Sequence, residues 1–322
     1  MYCNYFGFRE KPFNITPNPR FLYLSKSHKE AIAHLLYGIK NHAGFIELTG
    51  EVGTGKTTIL RTVLGELEEG LYRSALILNP CLSATELLRS INREFAIRHE
   101  GLENGELLDE LSRFLFCENH AGKTVVLVID EAQNLAPQVL EQIRLISNLE
   151  TESDKLIQII LSGQPELAEM LAKPELRQLA QRITVRSHLK PLDFIECGSY
   201  IKHRILIAGG GGWISFSDSA VKKLFNYSKG SPRLMNIACD RALLTAFTED
   251  SGVISANIAA SAISEIKRPA GGIRSGRKVT LQLFIAALLI IATLIGAFMV
   301  KSSMNDVAEK HPAQPGNKVI SR

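Results

Sequence analysis

Residues 45–58 read FIELTGEVGTGKTT and carry the most specific pattern in the chain. Gly50, Glu51, Val52, Gly53, Thr54, Gly55, Lys56 and Thr57 match G-x-x-x-x-G-K-[ST] in full. The context agrees: an apolar run of strand length, 45–49, precedes the match, and a helical pattern follows Gly55 to about residue 69. Glycines let consecutive backbone N–H groups turn inward around phosphates. The new helix points its positive end at the same oxygens. Lys56 is expected to reach the β- and γ-phosphates, and the Thr57 hydroxyl to ligate Mg²⁺. Residues 50–57, with Thr58 beyond them, are therefore the candidate ATP-binding loop.

The second element is 124–129 (TVVLVI), a continuous apolar run of the kind found in the middle of a parallel sheet. It ends in Asp130 and Glu131. Uncompensated carboxylates at a core edge are costly, and Mg²⁺ supplies a reason for them. Asp130 is expected to hold the metal through water, and Glu131 to orient and polarise the attacking water.

Around these two elements the chain alternates strand and helix. Strands are expected at 45–49, 74–78, 124–129, 156–161 and 183–187. Helices are expected at 27–41, from Gly55 to 69, and at 84–98, 105–119 and 137–149. Ser25 or Ser27 is the expected cap of the first helix. This order predicts a three-layer α/β fold with a parallel sheet, over a core of residues 45–190. From Pro191 the pattern changes to helical periods at 193–207, 217–228, 231–249 and 255–266, with no strong strand between them. These predict a small helical domain over 191–266, and the glycine run at 209–212 reads as a turn. Residues 1–44 form an entry region, an ordered loop with interleaved aromatics and then a helix.

The chain has 322 residues, 45% of them apolar and 22% charged, which excludes a mostly disordered protein. Residues 267–278 carry five basic side chains and no acid, and 301–322 carry four basic and two acidic, which leaves residues 1–266 at −3 of the net +4. That distribution argues against a whole-surface nucleic-acid binder and leaves room for a local basic patch. The five cysteines, Cys3, Cys81, Cys117, Cys197 and Cys239, are scattered without CxxC spacing, so neither a disulfide framework nor a zinc site is expected. No cleavable signal peptide is expected at the N-terminus.

Residues 279–300 read VTLQLFIAALLIIATLIGAFMV, with no charge and 18 of 22 positions apolar. As a helix this segment is roughly 33 Å long, enough to cross a bilayer core. The basic linker 267–278 precedes it, and the positive-inside bias puts the large N-terminal portion in the cytoplasm. The expectation is a single-pass protein of the inner, or cytoplasmic, membrane with 301–322 as a short extracytoplasmic tail. The basic side chains beside the segment are also expected to meet anionic lipid.

The phosphate-binding loop, VVLVIDEAQNL (125–135), LSGQPEL (161–167) and GSPRLMN (230–236) resemble an AAA+ ATPase. The likeness is greatest to the general secretion pathway protein A group (the ExeA type), which has relatives in exosortase and exopolysaccharide loci. The opening YFGFREKPFNITPNPRFLYLSKSHKEAIAHLLYGI (5–39) is the most specific part, and the resemblance covers about residues 1–266. It implies that Ser162 and Gln164 are polar sensors of the γ-phosphate or water, and that Arg182 is an arginine finger supplied to a neighbouring subunit. It implies that Arg233 is a second sensor on a helical lid, and that residues 14–23 lie near the adenine. It further implies a homo-oligomer, as a ring or dimer, with envelope secretion or polysaccharide-export components as partners. Members of that group carry a large periplasmic part with a peptidoglycan-binding domain; only 22 residues follow the apolar segment here, so that contact is expected of a partner. Two other functions stay open: a DNA-associated helper ATPase of transposition, which shares the DEAQ-type motif, and a nucleotide switch with negligible turnover. Intact Lys56, Asp130 and Glu131 argue against the switch.

Overall fold

The computed structural model describes residues 1–16, 18–78, 82–151, 155–210 and 213–267, together with Ile295. The chain divides into two units, Met1–Lys267 and Arg268–Arg322, and the described fold is that of the first. The expected apolar span 279–300, the basic linker after Lys267 and the tail 301–322 lie outside the described residues, Ile295 apart. Among the described residues no helix is long and apolar enough to cross a membrane.

Five strands form one parallel sheet: β1 Phe45–Gly50, β2 Tyr72–Ile77, β3 Thr124–Ile129, β4 Ile157–Gly163 and β5 Ile183–Leu189. Their order is β2-β3-β4-β1-β5. The strand bearing the acid pair is thus separated from the one feeding the phosphate loop by β4. Val125, Leu127 and Ile129 of β3 fall in one buried cluster, and Val126 and Val128 in another. Side chains alternate across a strand, so a continuous apolar run means that both faces are covered.

Helices α1 Tyr2–Phe6, α2 Lys26–Lys40 and α3 Lys56–Glu66 come first. Next are α4 Ala84–Glu94, α5 Asn104–His120, α6 Pro137–Ile146, α7 Pro165–Leu171 and α8 Arg177–Arg182. The last four are α9 Phe194–Ile207, α10 Asp218–Ser228, α11 Pro232–Thr248 and α12 Ala256–Lys267. Leu35 and Ile39 of α2, with Ile59 and Val63 of α3, cover one face of the sheet. Helices α4 to α8 supply the core of the other.

Helices α9 to α12 share a third cluster, and the entry aromatics Tyr2, Phe6, Phe8, Phe13 and Phe21 are part of it. Two parts of the chain at opposite ends of the sequence therefore bury one another. The helical part also holds two short paired strands, β6 Ser215–Phe216 and β7 Val253–Ile254, where the helical periods predict no strong strand. Helices α1, α7 and α8 are likewise not predicted by the sequence pattern. The helix expected to run to 98 stops at Glu94, where Phe95 caps it and Ala96 takes a φ of 58°.

Candidate functional site

The site forms where β1 and β3 end. β1 runs into Gly50 and α3 begins at Lys56, so the loop joins the middle of the sheet to a helix N-terminus. Within the loop Thr54 Oγ1 donates to the Glu51 carbonyl at 2.8 Å. Lys56 is buried, and its ammonium donates to the carbonyls of Gly50 at 2.6 Å and Glu51 at 3.2 Å. Burial lowers the Lys56 pKa from its ordinary value, and the carboxylates of Glu131 and Asp130 oppose that shift.

Asp130 is 2% exposed, and its carboxylate is fully engaged. Its Oδ2 accepts from Thr57 Oγ1 at 2.6 Å, and its Oδ1 accepts from Ser162 Oγ at 2.8 Å and from Glu131 N at 3.0 Å. Glu131 follows in the left-handed region, with φ 54° and ψ 37°. For a residue with a Cβ that conformation costs about 1–3 kcal/mol and persists only where the surroundings impose it. Its Oε2 accepts from Gln133 Nε2 at 2.7 Å and from Gln164 Nε2 at 3.4 Å.

The lid closes on the loop from the other side. Arg233 N, at the start of α11, donates to the Gly53 carbonyl at 3.2 Å. Gly53 has φ 78°, and a Cβ built on it would stand 2.5 Å from Arg233 Cβ, so a side chain there would push the lid helix off the loop. One cavity of about 370 Å³ is lined by residues 52–58 of the loop, by Glu131 and Arg233, and by Asn14, Ile15, Thr16 and Tyr23 of the entry region. The structure thus brings Lys56, Thr57, Thr58, Glu131 and Arg233 to one space, with Asp130 attached through Thr57.

Among the expected site residues, Gly50, Glu51 and Asp130 do not line that cavity but are hydrogen-bonded to Lys56 or Thr57, which do, and three more stand apart from it. Ser162 and Gln164 do not line it; their side chains are taken up by Asp130 and Glu131. Arg182 lies at the end of α8, where its Nη1 donates to Ser147 Oγ at 3.0 Å, and it does not line the cavity of its own chain.

Three further residues belong to the site; His28 and Arg204 stand in no local motif, and Gln133 closes the DEAQ stretch. His28 Nε2 donates to the Thr54 carbonyl at 3.1 Å, while its Nδ1 accepts from Ser25 Oγ at 2.5 Å. That relay ties the first turn of α2 to the phosphate loop. Burial lowers the His28 pKa, and it acts as a neutral donor. Arg204, 7% exposed on α9, donates to the carbonyls of Pro12 at 2.6 Å and Asn14 at 3.1 Å and to the Tyr200 hydroxyl at 2.9 Å. Its guanidinium also lies over the Phe21 ring, 4.8 Å from the centroid, and so clamps the entry loop to the lid. Gln133 is the third. Its only signal in the sequence is an amide two residues beyond the second acid.

These residues suit a magnesium nucleotide. The backbone amides, the buried Lys56 and the side-chain-free surface of Gly53 make a cradle for phosphates. The Thr57 hydroxyl and the Asp130 carboxylate are hard oxygen donors, and Mg²⁺ takes few protein oxygens beside those of phosphate. Among the described residues no cluster of three or more His, Cys, Asp or Glu offers a metal site of another kind.

Comparison with known proteins agrees with this geometry. Residues 39–171 match the family described as AAA domain. The chain is 46% identical over 297 residues to general secretion pathway protein A of Aeromonas hydrophila, a match that covers 91% of this chain and 53% of that protein. It thus spans about half the length of that curated relative. Among solved structures, the ORC2 protein of Aeropyrum pernix, in its ADPNP–ADP complexes, superposes with a TM-score of 0.62 at 19% identity, over 80% of this chain and 72% of that one. Cdc6p of Pyrobaculum aerophilum superposes with a TM-score of 0.59 at 20% identity, over 76% and 70%. At that identity the two structures speak for the fold alone.

Proposed function

We propose, from the premise that this chain is an AAA+ P-loop protein similar to general secretion pathway protein A, that it hydrolyses ATP to drive assembly or operation of a bacterial envelope secretion or export system. The observation that carries the ATPase reading is the convergence of Lys56, Thr57, Glu131 and Arg233 on one cavity, with Asp130 hydrogen-bonded to Thr57.

In this reading the loop amides and Lys56 grip the β- and γ-phosphates. Mg²⁺, held by Thr57 and Asp130, would neutralise charge on the phosphate oxygens. Glu131 orients a water and accepts its proton as the oxygen attacks the γ-phosphorus. The bond between the γ-phosphorus and the bridging oxygen breaks, and ADP and phosphate leave. Arg233 balances the charge that grows on the transferred group. Gln164 holds the carboxylate of Glu131 in place, and Ser162 that of Asp130. Arg182 completes the site of a neighbouring copy in a ring or dimer.

The finer points rest on the sequence. Residues 279–300 span the inner membrane once, the basic residues 267–278 stay on the cytoplasmic side, and the ATPase works at that surface. The −3 balance of residues 1–266 favours envelope proteins over DNA as the client. The pathway served is of the type II secretion, pilus or exopolysaccharide kind.

The purified full chain tests the core of this proposal. Lys56→Ala is expected to abolish ATP binding and turnover, and Glu131→Gln to keep binding but stop hydrolysis, a loss of at least about 100-fold for a general base. Wild-type turnover in either variant removes the role given to that residue. Cross-linking of the Glu131→Gln form in cells is expected to capture envelope components; DNA-bound partners in their place would favour the transposition reading.

A further inference from the structure

We infer that Gln133 is a positioning residue for hydrolysis: its amide holds the Glu131 carboxylate in place and ties it to the end of β4. This rests on the proposed role of Glu131 as the base.

The geometry is a closed triangle of hydrogen bonds. Gln133 Nε2 donates to Glu131 Oε2 at 2.7 Å, and Gln133 Oε1 accepts from Gln164 N at 3.1 Å. Gln164 Nε2 then returns to the same Glu131 oxygen at 3.4 Å. Only a side chain with both a donor and an acceptor can make the first two bonds together. The seat is also cut to fit. A Cβ built on Gly163 would lie 2.6 Å from Gln133 Oε1, so the backbone of β4 is bare where the amide rests.

The triangle acts on a residue whose backbone is already held in the left-handed region at φ 54°, with Glu131 N donating to Asp130 Oδ1 and its carbonyl accepting from Asn134 N. A glutamate has three rotatable bonds, and a base is useful only within hydrogen-bond reach of the attacking water. With the amide in place, one carboxylate oxygen is pinned and the other is left to work. Because the other end of Gln133 grips the β4–α7 junction, a shift of that junction would carry Glu131 with it. Gln133 does not line the cavity, so it acts on the chemistry through Glu131 and leaves nucleotide binding alone.

The test is steady-state ATP hydrolysis by the purified full chain, with nucleotide affinity and thermal unfolding measured beside it. Gln133→Met keeps the length and removes both hydrogen bonds. It is expected to lower kcat about 10- to 100-fold, the usual cost of losing a group that orients a catalytic ligand, with KM for ATP unchanged. Adding Gln133→Met to Glu131→Gln is expected to cost nothing more, because the two act as one unit. If Gln133→Met melts as the wild type does and keeps the wild-type kcat, the positioning role is overturned. A raised KM with kcat intact also overturns it, since Gln133 would then serve binding. Should Gln133→Met not fold, the isosteric Gln133→Glu, which cannot donate, decides on the same kcat criterion. Full turnover in Glu131→Gln is the separate outcome that removes the base itself.

Discussion

At the scale of single residues, the site divides into what sits close along the chain and what is brought from far away. Lys56, Thr57, Asp130 and Glu131 could be read from the sequence, because a phosphate loop needs glycines and a lysine at set spacing and a metal needs an acid at the end of a buried strand. His28 could not, since its partner carbonyl on Thr54 lies 26 residues away and no spacing rule links them. Arg204 reaches across 192 residues to Pro12. His28 also makes a prediction about pH. Burial lowers its pKa below the ordinary 6.5, while Glu196 opposes that shift and the Thr54 carbonyl also favours the charged ring. A buried neutral imidazole takes up its proton only at lower pH than the unfolded one does. Its contribution to stability is therefore whole above the ordinary value and is lost as the pH falls from there through the folded value. Denaturant unfolding between about pH 7 and pH 5 is expected to show a smaller acid loss in His28→Gln than in the wild type. At neutral pH the same variant is expected to cost about 1 kcal/mol, because the amide replaces only part of the relay. Equal acid sensitivity in the two proteins would rule the imidazole out as the cause.

At the scale of elements, the parallel sheet was visible as alternating strand and helix, and the burial of every β3 residue after Thr124 bears out the reading of TVVLVI as an inner strand of that sheet. The pairing order was not visible: the polar positions of β2 and β5 suit edge strands, but β1, β3 and β4 are all largely apolar and nothing local says which of them lie side by side. Two-residue strands such as β6 and β7 carry too few positions to show a period. The entry aromatics looked like an ordered loop, and nothing local says that they complete the core of a domain that begins at residue 191. One joint between the parts can be tested. Asp193 caps α9: its Oδ1 accepts from Glu196 N at 2.7 Å and Glu196 Oε2 accepts from Asp193 N at 3.1 Å. The other Glu196 oxygen accepts from Lys26 N, at the start of α2, at 3.1 Å. One carboxylate thus serves the positive ends of two helices, one on the sheet and one in the lid. Glu196→Ala is expected to lower stability by about 1–2 kcal/mol in chemical denaturation, the usual range for a lost cap. Its kcat is expected to match the wild type, since the carboxylate does not line the cavity. A fall in kcat without a fall in stability would show that this joint transmits motion to the site instead of merely holding the helices.

At the scale of the whole molecule, every catalytic group proposed here except one lines the cavity of its own chain or is tied to a lining residue through one or two hydrogen bonds. Arg182 is the exception. It sits half-buried at the end of α8, with its guanidinium on Ser147 Oγ, on the side of the sheet covered by α6 and α8. A cation placed there serves hydrolysis only if it leaves that hydroxyl for the cavity of a second copy. The bond to Ser147 joins a charged donor to a neutral hydroxyl and is worth roughly 1.5–3 kcal/mol, less than a bidentate pairing of the guanidinium with a phosphate, so the exchange is favourable. Two inactive forms should then rescue one another. Arg182→Ala keeps an intact acid pair but offers no finger, and Glu131→Gln offers a finger but has no base. At a mixed interface, the wild-type Glu131 of the first form faces the wild-type Arg182 of the second. Titrating one against the other at constant total protein is expected to give a bell-shaped ATPase rate, zero at both ends and highest near equal amounts. A flat line at the background rate would show that Arg182 acts within its own subunit or not at all. Full activity of Arg182→Ala alone would return it to the role of an ordinary cation bonded to Ser147.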